Sequence, residues 1–527
     1  MTVVCTGMVM DRFDLLIVGG GSSGAALAYE AVRRGLRVAL LEAGDPGQGT
    51  SSRSTKLLHG GVRYLELAFK QLDAAQLKLV REALSERQYW IDQAPFLAQP
   101  LRIALPTQGP IEQAYYRMGL GMYDLLAGSA GLEPSCGMNR QQLQAALPGL
   151  DPGRHGAVLY SDGQFDDARL NLLLLLTAES AGAVVQRDCP VVAFEHEGGQ
   201  VVAAVTRGGD GSTTRWPARC IVNATGIQAD RLRALAQPDC RDRLLVSRGV
   251  HLVLEQQLCP AGTGLLIPKT SDGRVMFVLP FQGRTLVGTT DSPCAVGEAT
   301  TVSAAEETFL MDHLRRWFPG QPTLTVSSRW AGGRPLIQPD SDRGSSKVVR
   351  EHEVERLDCG LISLLGGKWT TCRVLAVDAL KAIAGELNQT LPAPKPLPLL
   401  GADSSPVQSL ASLAALRARL EPLTPTGPLQ RRQIDHLIAN YGLQAEQVLE
   451  QAMDSSEAMP LSAVVPVCLA EWRYNIRFEW AKTSADLLER RSRIAFLDQA
   501  EAERLTPEAE SLLLTSSISP ISHQPKP

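Results

Sequence analysis

The sequence is short of several things, and each shortage narrows what the chain can be. No uninterrupted apolar run outlasts Leu172–Leu176. A membrane-spanning helix needs about 20 apolar residues, so none is expected, although lying on a membrane surface is not thereby excluded. An excess of one charge is also missing. The formal net charge is −4, which offers nothing to nucleic acid as a partner. None of the cysteines, scattered from Cys5 to Cys468, forms a C-x-x-C pair. Neither a zinc site nor a thioredoxin-like pair is indicated, and no metal is expected. The opening MTVVCTGMVM lacks the charged and apolar regions of a secretory signal. Reduced thiols in a cytoplasmic protein follow, with residues 1–11 as an unstructured leader. No internal repeat is apparent.

What is present begins at Phe13. The run Phe13–Val18 stops at glycines and reads as a buried parallel strand. An alanine-rich helix over Ala25–Arg34 follows, ended by Gly35, then a second strand over Val38–Glu42. Together these make one βαβ unit. Residues 70–95 have helical composition. From about 155 to 370 short strands alternate with turns, among them Val201–Val205, Leu252–Leu254, Arg274–Leu279 and Arg284–Gly288. A large antiparallel or mixed sheet is expected there. The proline-rich 391–405 cannot continue a helix or a central strand and reads as a linker. It divides interleaved cofactor- and substrate-binding domains over 12–390 from a helical domain over 406–505. Residues 506–527, ending in TSSISPISHQPKP, are expected to be disordered. The fold class is thus α/β: a Rossmann-like domain with an inserted mixed sheet, plus a C-terminal all-α domain.

Gly19, Gly21 and Gly24 fit G-x-G-x-x-G between that strand and that helix. The first glycine permits a tight turn, the second lets backbone approach a pyrophosphate, and the third lets helix pack on strand. Ser22 opens the helix, whose N-terminus favours an anion. Glu42 ends the second strand, close to the expected ~20 residues on, and its carboxylate suits ribose hydroxyls. The polar stretch Thr50–Lys56 and the glycines Gly60 and Gly61 follow. A later strand, Cys220–Thr225, ends at Gly226.

Several segments resemble the FAD-dependent glycerol-3-phosphate dehydrogenase family, within the wider group of flavoproteins like D-amino-acid oxidase. IVGGGSSGAALAYEAVRRG is similar to its first signature, TSSRSTKLLHGGVRYLE to its most distinctive segment, SRWAGGRPL to its arginine segment, and LLGGKWTTCRVLA to its second signature. YGLQAEQVL and ADLLERRSRIAFLD resemble its helical C-terminal part. Cys372 stands where that signature normally has tyrosine, and Tyr29-Glu30 where an Arg-Asp pair is common.

The resemblance implies FAD as cofactor, glycerol 3-phosphate as substrate and a quinone as acceptor. It also implies a peripheral position on the inner face of a membrane; a homodimer is left open. The flavin would meet Ser51, Ser52, Thr55, Lys56, His59, Gly60, Gly61, Gly226, Gly367, Lys368, Trp369 and Thr370. Arginine suits phosphate because its planar fork binds oxygens in pairs. The family's active-site arginines fall on Arg334 and Arg350, and its Arg-Tyr pair on Arg63 and Tyr64. His251 falls on a family histidine and is the candidate base; taken alone it reads as a histidine at a strand edge. Lys368 is placed to stabilise negative charge on substrate or reduced flavin. Other readings are an oxidase using oxygen, a relative acting on amines, an NAD-dependent dehydrogenase, and a flavoprotein scaffold without catalysis.

Overall fold

The computed structural model describes residues 12–61, 74–321, 323–338 and 352–518. Among them are two large sheets and a set of C-terminal helices. The first sheet runs His352–Arg356, Ile362–Gly366, Thr213–Asn223, Phe13–Val18, Val38–Leu41, Val184–Gln186. Neighbours in this order are parallel, except for the antiparallel pair at the His352 edge; Gln200–Arg207 also pairs antiparallel with Thr213–Asn223.

Phe13–Val18 is central and covered on both faces, which is why it is apolar throughout rather than alternating. Leu15 and Ile17 pack into one core, Leu16 and Val18 into the other. The helix Ser22–Val32 is buried from Gly24 to Ala31. Its alanines let it lie against the helices Asp167–Ser180 and Cys372–Leu387. The apolar run Leu172–Leu176 belongs to the first of these and is buried whole; it fills the interior. Each of those leucines stabilises the fold by roughly 1.5–3 kcal/mol through burial.

The second sheet is mixed, with ten described strands. Arg284–Gly288 forms as expected, Leu252–Leu254 is the end of a longer strand, Leu244–Leu254, and the Arg274 strand starts at Met276. Val201–Val205 lies within Gln200–Arg207, in a hairpin attached to the first sheet.

No helix or strand occupies 390–399. Helices follow at Pro406–Leu420, Gln430–Tyr441 and Leu469–Phe478, then a π-helical turn at Asp486–Arg491 and a helix at Gln499–Ile518. Ile434, Leu437 and Tyr441 are buried together. The expectation of disorder from 506 onward is corrected as far as 518. Leu505, Ala509 and Leu512 recur at helical spacing and are buried against the body of the protein, so the segment has a face to pack.

Candidate active site

At the end of Phe13–Val18 the chain turns at Gly19 with φ +109, a region that L side chains rarely enter. A Cβ there would lie 2.6 Å from the Ala224 carbonyl oxygen. Gly24 is tighter still, its Cβ falling 1.9 Å from the Gly19 carbonyl oxygen. At Gly21 the nearest atom to a Cβ is Ser51 Oγ, at 3.0 Å. Ser51 Oγ also accepts the Ser22 N–H at 2.9 Å, bringing the polar loop to the start of the helix. Glu42 accepts the Gly20 N–H at 2.6 Å and the Gly44 N–H at 3.1 Å. Burial nevertheless raises its carboxyl above the ordinary value.

A cavity of about 1480 Å³ opens from this turn. Its wall takes in Gly19, Gly21, Ser22, Glu42, Ser51, Thr55, His59, Gly226, His251, Arg334, Gly367, Lys368, Trp369 and Thr370. Residues more than 300 positions apart meet directly. Trp369 Nε1 donates to the Ser51 carbonyl at 2.7 Å, and the His59 N–H donates to Thr370 Oγ1 at 3.2 Å. Positive φ at Gly366 and Gly367, +70 and +97, turns the chain there and carries Lys368 to the wall. Burial, with Lys368 adding to it, pushes the His59 imidazole down to about 4.

His251 and Arg334 come from neighbouring antiparallel strands, in the register His251 to Trp330, Gly249 to Gly332 and Ser247 to Arg334. Two glycines make room for them. A Cβ on Gly249 would lie 2.4 Å from Arg334 Nη2, and one on Gly288 2.4 Å from His251 Cδ2. The Arg334 guanidinium donates to Thr289 Oγ1 at 2.9 Å and to the Thr290 carbonyl at 3.1 Å, with Asp291 at 3.4 Å. His251 stacks on Trp330, ring centres 4.3 Å apart. Its Nε2 lies 2.9 Å from Thr55 Oγ1, while Nδ1 is buried without a hydrogen-bond partner. Burial, reinforced by Lys56 and Arg334, holds the imidazole well below its ordinary pKa, so it is neutral at pH 7.

Several expected contacts lie behind this wall. Lys56 is the clearest correction: its ammonium reaches Asp167 at 2.6 Å and the Ser52 carbonyl at 2.7 Å, fully buried. Burial and Arg493 push that ammonium below the ordinary lysine value, while Asp167 opposes them. Ser52, Gly60 and Gly61 are likewise outside the cavity lining. The Gly60 N–H donates to Tyr123 OH at 2.7 Å, and a Cβ there would strike Leu84 and Tyr123 at 2.6 Å. Gly24, as expected, packs helix on strand. Arg63, Tyr64 and Arg350 lie outside the described residues. Gly249 and Gly288 were not singled out from sequence, although a glycine inside a strand signals close approach. Thr289, Asp45 and Arg490 also escaped, and nothing local marks them.

A sequence profile described as FAD dependent oxidoreductase matches residues 14–370, and one described as the C-terminal domain of alpha-glycerophosphate oxidase matches 394–516. A mitochondrial glycerol-3-phosphate dehydrogenase of Arabidopsis thaliana is 38% identical over 510 residues, 94% of this chain and 81% of that one. The mitochondrial glycerol-3-phosphate dehydrogenase of Homo sapiens is 36% identical, over 95% of this chain and 70% of its own. Among solved structures, the glycerol-3-phosphate dehydrogenase from Bacillus halodurans complexed with FAD superposes with a TM-score of 0.77 at 27% identity, covering 97% of this chain and 92% of that one.

Proposed function

The chain belongs to the FAD-dependent glycerol-3-phosphate dehydrogenase family, and on that premise we propose that it oxidises sn-glycerol 3-phosphate to dihydroxyacetone phosphate with FAD in this cavity. The residues present suit the cofactor. A side chain at Gly19 or Gly24 would collide with backbone, and the turn they form opens onto the cavity beside Glu42, the acid suited to the adenosine ribose. Ser51, Trp369 and Thr370 bring two distant loops to the same wall. FAD supplies the hydride acceptor, its N5 atom.

The chain's own residues do the rest. Arg334 binds the substrate phosphate, its fork held in place by Thr289, Thr290 and Asp291. His251, neutral and buried, accepts the hydroxyl proton. Thr55 Oγ1, 2.9 Å from Nε2, and the stacked Trp330 ring fix the orientation of the imidazole that takes it. Lys368, which lines the same cavity, stabilises negative charge that develops on the substrate oxygen. Arg63, Tyr64 and Arg350 complete the anion site in this reading.

The observation that carries the reading is the placement of His251 and Arg334, a base and an anion-binding group on adjacent strands, on the wall of the cavity that begins at the glycine turn. Anaerobic addition of glycerol 3-phosphate to the purified yellow protein tests it. The flavin's visible absorption should bleach; an unchanged spectrum from protein that retains its flavin would refute the assignment.

The acceptor in this reading is a membrane quinone, met from the inner face. The helix Pro110–Ala127 supports it. Ile111, Tyr115, Met118 and Leu125 share one stripe and are 85%, 47%, 63% and 80% exposed. Large apolar side chains in an exposed row suit a bilayer interface. No described helix is long and apolar enough to cross a membrane. Peroxide release during turnover would instead mark oxygen as the acceptor.

A further inference from the structure

The cavity has a wall that does not come from the two sheets. Lys482, Thr483, Asp486, Glu489 and Arg490, from the C-terminal helices, line it together with Gly44 and Asp45. Asp45 lies three residues beyond Glu42 and is 7% exposed. Its carboxylate is gripped by consecutive arginines: Arg490 Nε at 2.5 Å, Arg491 Nη1 at 2.6 Å and Arg491 Nη2 at 2.8 Å. The same short segment continues along the loop. Glu489 faces Arg53 at 3.6 Å, and Arg493 Nη2 donates to the Ser52 carbonyl at 2.8 Å and to Asp167 at 3.1 Å.

The anchoring extends into the C-terminal helices. Arg491 also donates to the Glu479 carbonyl, and the Glu479 carboxylate is bound by Arg169 from the core helix Asp167–Ser180. Residues 43–48 have no helix or strand of their own, so their shape rests on such contacts. An unpaired Asp45 would be costly at this burial, which makes the pairing a strict condition on the loop.

We propose that the C-terminal helical region is part of the cofactor site. Arg490 and Arg491 are positioning residues that hold Asp45, and with it the loop after Glu42, in the shape that receives the adenosine half of FAD. FAD binding and docking of residues 479–493 are then coupled, each strengthening the other by the same factor. The proposal rests on the FAD reading above and adds to it a role for a region that reading does not use.

Hydrogen exchange on the full chain tests the coupling. Deflavinated protein is compared alone, with FAD, and with ADP, which carries the adenosine and pyrophosphate but no flavin. FAD and ADP should each slow exchange over 479–493 by roughly 5- to 150-fold, the usual range of such coupling. In a second arm, Asp45→Asn should raise the dissociation constant for FAD, read by flavin fluorescence, by a factor in the same range. Should that variant fail to fold, the exchange comparison on the unsubstituted chain decides. FAD that binds fully while exchange over 479–493 stays unchanged overturns the coupling and leaves the FAD reading standing. A protein that takes up no flavin overturns both.

Discussion

Arg169 and Glu479 meet in a two-pronged ion pair, Nη1 to Oε2 at 2.6 Å and Nη2 to Oε1 at 2.8 Å, with neither side chain more than 1% exposed. One comes from the helix that fills the central core, the other from the end of Leu469–Phe478, 310 residues later. Asn475 adds a hydrogen bond to Glu479 at 2.9 Å, and Arg169 donates to the Asn440 carbonyl at 3.0 Å. Removing one partner strands a charge in the interior. Arg169→Met is therefore expected to lower stability by about 3–5 kcal/mol, seen as a lower midpoint in urea unfolding. A change under about 0.5 kcal/mol, the scale of an ordinary surface substitution, would show that water reaches the pair.

Arg334→Ala should raise KM for glycerol 3-phosphate more than it lowers kcat. The loss of a charged contact to phosphate is worth roughly 1.5–3 kcal/mol. Steady-state kinetics with a soluble dye as acceptor measures it. Unaltered substrate affinity would place the phosphate elsewhere in the cavity.

His251→Asn should reduce kcat by a factor of about 10²–10⁴, the usual worth of a positioned base. Flavin content should stay at the parent level, because His251 contacts Thr55 and Trp330 rather than the glycine turn. Single-turnover bleaching after anaerobic mixing reports the chemical step directly. A variant that bleaches at the parent rate would remove His251 from the mechanism.

His59 makes stability depend on acid. Its folded pKa, about 4, lies below the ordinary 6.5 because burial, and then Lys368, disfavour the charged ring. Between those values the unfolded chain binds a proton that the folded chain does not. Stability from this group is complete above pH 6.5 and falls as pH drops toward 4. His59→Gln should therefore show a shallower loss between pH 6.5 and 5 in chemical unfolding. Parallel curves for parent and variant would count against a ring that the fold keeps neutral.

Met118→Glu with Leu125→Glu should weaken co-sedimentation with phospholipid vesicles by at least roughly tenfold, since each large apolar side chain contributes about 1.5–3 kcal/mol when buried. Turnover with a soluble acceptor should not change. If vesicle binding persists and the oligomeric state shifts instead, the stripe is a contact between proteins.

The first βαβ unit was legible because its information is local. Phe13–Val18, the glycines and Glu42 stand within 30 residues, and the steric demands of a tight turn and a close helix allow few other residues. Arg334 and Lys368 could be nominated from motifs in which glycines stand beside them, whereas His251 rested on the family resemblance alone. The sequence could not say that Lys56 turns inward to Asp167, because the two differ by 111 positions and no periodicity links them. Nor could it show Asp45 between Arg490 and Arg491, separated by some 445 residues. Local pattern marked the first βαβ unit and several of the strands, but the helix Gln499–Ile518 showed only through the face it packs against the body of the protein. Which charges are buried together is decided when those elements pack, because desolvation makes an interior ion seek a partner, and for Lys56, Asp45 and Arg169 that partner comes from across the fold.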